Sequence, residues 1–263
     1  MCATCGCSDP DNQYQILLPG QDKLELKLAP NSHDNEHNHH HHAHNHHHQH
    51  VQTVSLEMDV LSRNNLLAER NRGFFEAKNI KAFNLVSSPG SGKTALLEKT
   101  LAELSRQLKF YVIEGDQQTT CDADRIHQTG VAVVQVNTGS GCHLDAKMVN
   151  EAVKKLNPEN DSYLMIENVG NLVCPSMFDL GESKRVVMIS ITEGDDKPLK
   201  YPNMFESSHL CLINKIDLQP YINADLELIK NYALRINHHL EFIELSVQTG
   251  QGMDLWYQWL QHN

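Results

Sequence analysis

The stretch Ser87-Ser88-Pro89-Gly90-Ser91-Gly92-Lys93-Thr94 is the part of this sequence that is most informative about the fold. It follows the short apolar run at residues 82–86 and precedes a segment with helical periodicity at residues 94–108. The order is therefore strand, glycine-rich turn, helix. Gly90 and Gly92 let the backbone curl so that successive N–H groups point at phosphate oxygens. The positive end of the following helix favours the same ligand, so the stretch predicts a phosphate-binding loop, or P-loop.

Individual side chains of the P-loop have predictable roles. The Lys93 ammonium is expected to reach the β- and γ-phosphates as part of the catalytic set, and the Thr94 hydroxyl to ligate Mg²⁺. The backbone of the remaining loop residues would surround the phosphates. The phosphate-contacting set predicted from this loop is Gly90, Ser91, Gly92, Lys93 and Thr94.

The alternation of strand and helix continues through the rest of the chain. Further strands are predicted at 110–113, 131–136, 163–166, 186–191, 210–213 and 242–245, with helices at 122–129, 143–156, 225–236 and around Trp256 and Trp259. The strands are continuously apolar instead of alternating, as in parallel sheets covered on both faces. We therefore predict an α/β fold: a doubly wound, mainly parallel sheet of the P-loop NTPase type. Ligands of such sheets bind beyond the carboxyl ends of the strands.

Composition divides the chain into three parts. Residues 1–50 are polar and dominated by histidine and asparagine, so they bury too little apolar surface to offset the entropy of ordering. They are predicted to form a disordered, metal-binding arm. Residues 51–80 contain no proline and have apolar residues at helical spacing, which predicts a helical connector. Residues 81–263 then form the P-loop domain.

Charge and hydropathy exclude several classes of partner. The formal net charge of −11 argues against a nucleic-acid partner held by phosphate contacts. No apolar stretch approaches the roughly 18 residues of a membrane span. The first ten residues have neither the basic flank nor the apolar core of a signal peptide. We expect a cytoplasmic protein whose seven cysteines are thiols or metal ligands instead of disulfides.

A second motif, Asn214-Lys215-Ile216-Asp217, follows a predicted buried strand and identifies the base. The Asp217 carboxylate can accept hydrogen bonds from both N1–H and the exocyclic amine of guanine, a donor pair that adenine lacks. Lys215 is expected to lie along the base plane, and Asn214 to brace the neighbouring loops. Ser246 opens a segment, residues 246–250, that fits a loop closing over the base. The motif therefore predicts GTP as the nucleotide.

Magnesium needs hard oxygen ligands beside Thr94. Asp116, directly after the second strand of the P-loop domain, and Glu167, at the end of a later one, are the predicted ligands and complete the catalytic set. Asp122 and Asp124 remain alternatives. No glutamine or arginine stands out as the group that orients the attacking water, so slow intrinsic hydrolysis is expected.

Two N-terminal features indicate transition metals. Cys2, Cys5 and Cys7 place three thiols within six residues, and with the α-amino group they would form a nitrogen–sulfur set suited to square-planar nickel(II). A redox or incidental cysteine cluster is the alternative. Residues 33–50 contain eleven histidines, which predicts a storage tract of weak, exchangeable sites. An affinity tag is the alternative for this tract.

Within the P-loop domain, Cys142, His143 and Cys174 all follow predicted strands, on the same edge as the P-loop. A helix N-terminus near residue 143 would favour the Cys142 thiolate. Three ligands are one short of a closed tetrahedral site, and the fourth would come from water or a second subunit. Because lone buried cysteines are common, these residues alone leave a metal site and inert thiols equally open.

The chain resembles the hydrogenase nickel-incorporation GTPases, the HypB family of NiFe hydrogenase maturation. The resemblance spans the N-terminal arm and essentially the whole P-loop domain. It is carried by MCATCGC (1–7), NLVSSPGSGKT (84–94), IEGDQQT (113–119), TGSGCHLDA (138–146), IENVGNLVCP (166–175), FDLGE (178–182), TEGDDKPLKYPNMF (192–205) and NKIDL (214–218).

The resemblance implies more than the residues do by themselves. It implies a nickel site at Cys2, Cys5 and Cys7 and a nickel or zinc site at Cys142, His143 and Cys174, which GTP-driven homodimerisation assembles or alters. It implies delivery of nickel to the metallochaperone HypA and the hydrogenase large-subunit precursor, with a prolyl-isomerase nickel chaperone as a further partner. The histidine tract then serves nickel storage.

Three other readings are weighed against this one. A urease-maturation GTPase has a similar core, but its metal motif is Cys-Pro-His, whereas Cys142 and His143 are adjacent. A metal storage protein with a vestigial nucleotide site is disfavoured by the intact P-loop and base motif. A P-loop kinase is disfavoured because the base motif selects guanine.

Overall fold

The computed structural model describes residues 14–19, 49–117, 121–139 and 141–263. The predictions for Cys2, Cys5 and Cys7 and for the histidine tract lie outside the described residues. Only the backbone is described for helix residues 49–57 and for Cys121. Within the described part of the chain, no helix is long and apolar enough to cross a membrane.

Eight strands in the described part of the chain form one sheet. They are β1 Gln15–Leu17, β2 Lys81–Ser87, β3 Phe110–Asp116, β4 Ala132–Asn137, β5 Tyr163–Glu167, β6 Lys184–Ser190, β7 Leu210–Asn214 and β8 Glu241–Glu244. Their order is β1-β4-β3-β5-β2-β6-β7-β8. All neighbours pair in parallel except β1, which is antiparallel to β4. The predicted α/β fold with a mainly parallel sheet is confirmed, and the P-loop follows the central strand β2.

Helices cover both faces of the sheet. The described helices are α1 Gln49–Ala77, α2 Lys93–Leu104, α3 Cys121–His127, α4 Ala146–Leu156, α5 Lys197–Lys200, α6 Pro202–Glu206, α7 Leu226–Ile236 and α8 Met253–His262. One face packs against α2, α3 and α8, and the other against α1 and α4 on one side and α6 and α7 on the other. Strand residues alternate between these layers: Phe83 and Leu85 face α2 and α8, while Ala82 faces α1 and α4. Burial on both faces explains the continuously apolar strands.

Two helix boundaries differ from the sequence prediction by three or four residues: α2 ends at Leu104 and not at residue 108, and α4 begins late. This helix was predicted to begin at His143, but it begins at Ala146 because Asp145 is its N-cap, with Asp145 Oδ1 accepting from Met148 N over 2.7 Å. Cys142 and His143 therefore belong to the loop between β4 and α4. The predicted helix-terminus effect on the Cys142 thiolate does not apply at that position.

Strand β1 was not predicted. Its three residues, Gln15–Leu17, lie within the segment assigned to the N-terminal arm and pair with Gln135–Asn137 at the edge of the sheet. Lys155 Nζ donates to the Ile16 carbonyl over 2.6 Å, and Tyr14 and Ile16 pack against the cluster under α4. Three residues are too few to show a period of two, so only pairing with a neighbouring strand defines them.

Candidate nucleotide and metal site

The backbone of the P-loop is curled at its two glycines. Gly90 and Gly92 have φ angles of 76° and 99°, in the left-handed region that residues with a Cβ rarely adopt. Gly92 also lies directly against Asn214, since a Cβ added there would come within 2.5 Å of Asn214 Nδ2. Lys215 Nζ donates to the Gly90 carbonyl over 2.8 Å, so the first two residues of the base motif, Asn214 and Lys215, contact the P-loop.

The first helical turn after the loop directs two side chains at Glu167. Lys93 Nζ lies 3.0 Å from Glu167 Oε1, and Thr94 Oγ1 donates to the same oxygen over 2.7 Å. The Glu167 side chain is 1% exposed, and its Oε2 has no hydrogen-bond partner among the described residues. A buried carboxylate with an oxygen that lacks a hydrogen-bond partner among the described residues can accept a cation. Mg²⁺ prefers hard oxygen ligands, and the Glu167 carboxylate and Thr94 hydroxyl are of that kind.

Glu114 is a functional candidate that the sequence analysis missed. It lies on β3 directly opposite Glu167 in the register of the sheet and is 2% exposed. Burial and the Glu167 charge raise the pKa of Glu114 well above its usual value, against the opposing effect of Lys93. Although burial opposes it, the carboxylates Glu167 and Glu114 raise the pKa of Lys93. The signal was available in the Glu114-Gly115-Asp116 sequence, where a carboxyl group interrupts an apolar strand.

The second predicted magnesium ligand lies at the end of a strand next to that of Glu167. Asp116 is the last residue of β3, which pairs with β5, and its Oδ1 accepts from Gln117 N over 2.6 Å. Asp116 and Glu167 thus share one edge of the sheet with the P-loop.

Asp122 and Asp124, the two alternative ligands, lie in the first turn of α3, and Asp122 is hydrogen-bonded to Arg125 over 3.1 Å. Asp122 pairs with Arg125, but its charge also raises the pKa of Lys93 and of Glu114, so it lies near the same site.

The base motif forms a bridge between two loops. Asn214 Nδ2 donates to the Ser91 carbonyl over 2.8 Å, and Asn214 Oδ1 accepts from Val247 N over 3.2 Å. Asn214 therefore braces the P-loop against the segment 246–250, as its position in the sequence suggested. Ser246 is fully buried at the start of that segment and accepts from Thr249 N over 3.1 Å. Asp217 Oδ1 is buried and has no hydrogen-bond partner in the described part of the chain.

The structure brings together the three predicted metal ligands of the P-loop domain. The ligand atoms of Cys142, His143 and Cys174 all lie within 4.8 Å of one another. Cys142 Sγ and His143 Nδ1 are 3.8 Å apart, and Cys174 is 5% exposed. Two sulfurs and an imidazole nitrogen are donors for zinc or nickel. The three side chains therefore form a group that could hold a metal ion, as the sequence predicted for one of its two readings.

The environment of His143 keeps its imidazole neutral. Its ring stacks on Phe178, with centroids 4.0 Å apart and planes at 28°, and the residue is 7% exposed. Burial lowers the pKa of His143 from 6.5 to about 4. A neutral imidazole offers a nitrogen lone pair to a metal ion without first losing a proton.

Lys197 is a second residue that the sequence analysis missed. Its Nζ donates to Ser88 Oγ in the P-loop over 3.3 Å and pairs with Glu193 at 3.2 Å. Lys197 lies in the segment 192–205, which was quoted as a motif but given no role. The segment therefore places a further cation beside the phosphate loop.

This geometry defines a P-loop nucleotide-binding protein with a candidate metal site on the same edge of the sheet. Comparison with known proteins supports that class. Residues 81–244 match the family model described as CobW/HypB/UreG, nucleotide-binding domain. The match begins at β2 and ends at β8. It therefore covers the P-loop, the base motif and the three predicted metal ligands.

Individual relatives show more closely which family the chain belongs to. The chain is 53% identical over 208 residues to the hydrogenase maturation factor HypB of Escherichia coli K12, spanning 79% of this chain and 72% of that protein. It is 43% identical to the probable HypB of Methanocaldococcus jannaschii over 78% of this chain and 92% of that one. The chain belongs to the HypB family of hydrogenase maturation factors.

Two solved structures support the assignment to the HypB family. The HypB crystal structure from Archaeoglobus fulgidus matches with a TM-score of 0.72 and 40% identity over 76% of this chain and 98% of that one. The structure of HypB from Helicobacter pylori in complex with nickel matches with a TM-score of 0.72 and 36% identity over 76% and 94% of the two chains.

Proposed function

We propose that this chain is a nickel-binding GTPase that delivers nickel into the large-subunit precursor of NiFe hydrogenase, with GTP hydrolysis gating metal transfer. The observation that carries the proposal is the convergence of Cys142, His143 and Cys174 within 4.8 Å on the sheet edge that also holds the P-loop. A nucleotide switch and a metal site that share one edge can respond to each other.

The nucleotide half of the proposal assigns roles to the residues around Glu167. Lys93 would neutralise charge on the β- and γ-phosphates, and Thr94, Asp116 and Glu167 would hold Mg²⁺. In the described structure Glu167 Oε1 accepts from both Lys93 and Thr94. Binding of Mg²⁺ and a triphosphate would draw both donors away from Glu167, so the site must rearrange when it is filled.

The base is proposed to be guanine. Asp217 would accept from N1–H and the exocyclic amine of the base, and its Oδ1 is buried without a partner among the described residues. Lys215 would extend along the base plane, and Ser246 would lie in the loop over the base. Because Asn214 joins this loop to the P-loop, base and phosphate recognition are linked.

The metal half of the proposal takes nickel or zinc as the ligand of Cys142, His143 and Cys174. Support comes from the donor set and from the HypB of Helicobacter pylori, which was solved in complex with nickel. A fourth ligand would come from water or from a partner copy in a GTP-bound homodimer. The residues Cys2, Cys5 and Cys7 are proposed as a separate nickel site, and the histidine tract as nickel storage.

The remaining parts of the proposal concern organisation and partners. Residues 1–50 would act as the metal-binding arm, 51–80 as a connector and 81–263 as the GTPase domain, in the cytoplasm and with slow intrinsic turnover. HypA and the hydrogenase large-subunit precursor are the proposed recipients of nickel, with a prolyl-isomerase chaperone as an additional partner. Nucleic acid and membranes have no role in this scheme.

The decisive experiment is complementation of cells that lack this protein. Cells carrying the wild-type chain should mature hydrogenase, whereas Cys174→Ala should fail at low nickel and be rescued in part by excess nickel. Cys211→Ala is the matched control, because Cys211 is also fully buried but lies in the core on β7. Burial raises the pKa of the Cys211 thiol, so it stays protonated and binds no metal.

The outcomes separate the two halves of the proposal. Normal hydrogenase maturation with Cys174→Ala would remove the metal site from the function. Normal maturation with Lys93→Ala would show that the nucleotide site is vestigial and would leave metal storage as the function.

A further inference from the structure

One buried asparagine stands between the nucleotide and the metal residues. Asn168 directly follows Glu167 and is 1% exposed. Its Oδ1 accepts from Leu144 N over 3.1 Å, and Leu144 directly follows His143. Its own N–H donates to the Leu85 carbonyl on β2 over 3.0 Å. A single residue therefore connects the strand that bears Glu167 to the loop that bears Cys142 and His143.

A second branch leads from the same side chain to the loop that follows Cys174. Asn168 Nδ2 donates to Asn84 Oδ1 over 3.3 Å, and Asn84 Nδ2 donates to Glu182 Oε1 over 3.0 Å. Arg185 Nη2 donates to the same Glu182 oxygen over 2.8 Å. The guanidinium also donates to the Ser176 and Phe178 carbonyls over 3.2 and 2.8 Å.

These bonds form a polar seam between two apolar clusters. Asn84, Asn168, Glu182 and Arg185, which we call the polar seam, are all 7% exposed or less. Ala82 belongs to the cluster under α1 and α4, and Val86 to the cluster under α6 and α7, so Asn84 lies between the two on the same face of β2. Buried polar groups with satisfied hydrogen bonds hold one arrangement, because water cannot replace a broken bond there.

The polar seam also reaches the surroundings of His143. Phe178, whose carbonyl accepts from Arg185, carries the ring that stacks on His143 at 4.0 Å. Asn168 thus contacts one metal loop directly and reaches the other through Asn84, Glu182 and Arg185. A displacement of Glu167 would be transmitted to both loops.

We propose that Asn168 is a positioning residue that couples the nucleotide site at Glu167 to the spacing of Cys142, His143 and Cys174. This inference rests on the proposed function. Filling the nucleotide site would move Glu167 away from Lys93 and Thr94. Because Asn168 is the next residue and its side chain holds Leu144 N, the same movement would shift His143 relative to Cys174 and change metal affinity.

The test measures metal affinity in two nucleotide states. The full-length chain, with Cys2, Cys5, Cys7 and Cys121 changed to serine, is titrated with nickel alone and with Mg²⁺ and a non-hydrolysable GTP analogue; the remaining Cys211 is fully buried on β7. The readout is thiolate-to-nickel charge-transfer absorption, which reports on Cys142 and Cys174 and which histidines cannot produce. The ratio of the two dissociation constants is the coupling factor, and linkage requires the same factor for nucleotide affinity with and without nickel.

The matched control is Asn71→Ala. Asn71 is 2% exposed, and its Nδ2 donates to the Ala146 and Leu180 carbonyls over 2.9 and 3.0 Å. It holds segments close to the two metal loops. Among the described residues its side chain bonds to no member of the polar seam, although Leu180 N donates to Glu182 Oε2. We expect Asn71→Ala to retain the wild-type coupling factor even if it loosens the fold.

Typical coupling factors are about 5- to 150-fold, and we expect Asn168→Ala to reduce the factor to less than about twofold. Asn84→Ser, which breaks only the second branch, should give an intermediate value and decides the matter if Asn168→Ala does not fold. A wild-type factor retained in Asn168→Ala, or in Asn84→Ser when the first variant is unfolded, would overturn the inference. A factor of one in the chain that carries only the cysteine-to-serine changes would instead overturn the gating in the proposed function.

Discussion

The Thr94 hydroxyl donates a hydrogen bond of 2.7 Å to Glu167 Oε1, so two of the three proposed magnesium ligands touch each other directly. They come from different elements, the start of α2 and the end of β5, and are 73 residues apart in the chain. The contact places a hydroxyl oxygen and a buried carboxylate oxygen, both of a type that Mg²⁺ prefers, next to each other before any cation is bound.

Thr94→Ala should therefore reduce the effect of Mg²⁺ on GTP binding. Loss of the hydroxyl removes one ligand, and we expect Mg²⁺ affinity to fall by at least about 10-fold. Calorimetric titration of GTP at several Mg²⁺ concentrations measures the effect. Thr129→Ala is the control, because Thr129 precedes β4 at the opposite edge of the sheet. The same Mg²⁺ dependence in both variants would exclude Thr94 as a ligand.

Gly92→Ala should disable the P-loop. A Cβ there meets Asn214 Nδ2 at 2.5 Å, and the φ of 99° is itself unfavourable for alanine. Gly130→Ala tests the effect of the positive φ alone, since Gly130 has a φ of 83° with nothing within 4 Å of an added Cβ. Both should lose about 1–2 kcal/mol of stability from backbone strain. Denaturation and GTP titration together should show that Gly92→Ala loses more stability and also loses nucleotide binding.

Asp217→Asn should exchange the base specificity. An amide still accepts from N1–H of guanine but turns a donor toward the exocyclic amine, so GTP affinity should fall by roughly 100-fold. Xanthosine triphosphate has a carbonyl in place of that amine and should bind the variant more tightly than it binds the wild type. Competition between the two nucleotides measures the change. A parallel loss of both would mean that Asp217 supports the loop and does not contact the base.

Arg185→Met should destabilise the fold strongly. Arg185 and Glu182 form a buried pair at 2.8 Å with side chains 6% and 5% exposed. Although burial opposes it, Arg185 lowers the pKa of Glu182, so the carboxylate is charged and would be left buried without its partner. We expect a loss of about 3–5 kcal/mol in the free energy of unfolding, measured by denaturant titration.

The double variant Arg185→Met with Glu182→Gln provides the comparison for that prediction. It removes both charges and should recover part of the lost stability. Equal losses in the single and double variants would show that packing of the arginine, and not the unpaired charge, is responsible.

The difference between sequence and structure is clearest at α4 and β1. Periodicity located α4 but placed its start at His143, because periodicity does not detect the capping side chain Asp145. The three-residue strand β1 is defined only by its pairing with β4. Glu114 and Lys197 were missed because their significance depends on what lies opposite them, Glu167 and Ser88.

The parallel α/β sheet, the P-loop and the base motif could be predicted from the amino-acid sequence alone. These features are local: a strand, a turn and a helix adjacent in the chain fix the backbone around Gly90 and Gly92, and Asn214 to Asp217 form one short segment. The convergence of Cys142, His143 and Cys174, and their link to Glu167 through Asn168, became visible in the folded structure. Convergence of distant residues depends on strand order, which periodicity does not contain. The parallel pairing of the sheet brings the carboxyl ends of β2, β3, β4 and β5 to one edge, and that places metal and nucleotide residues within reach of a single asparagine.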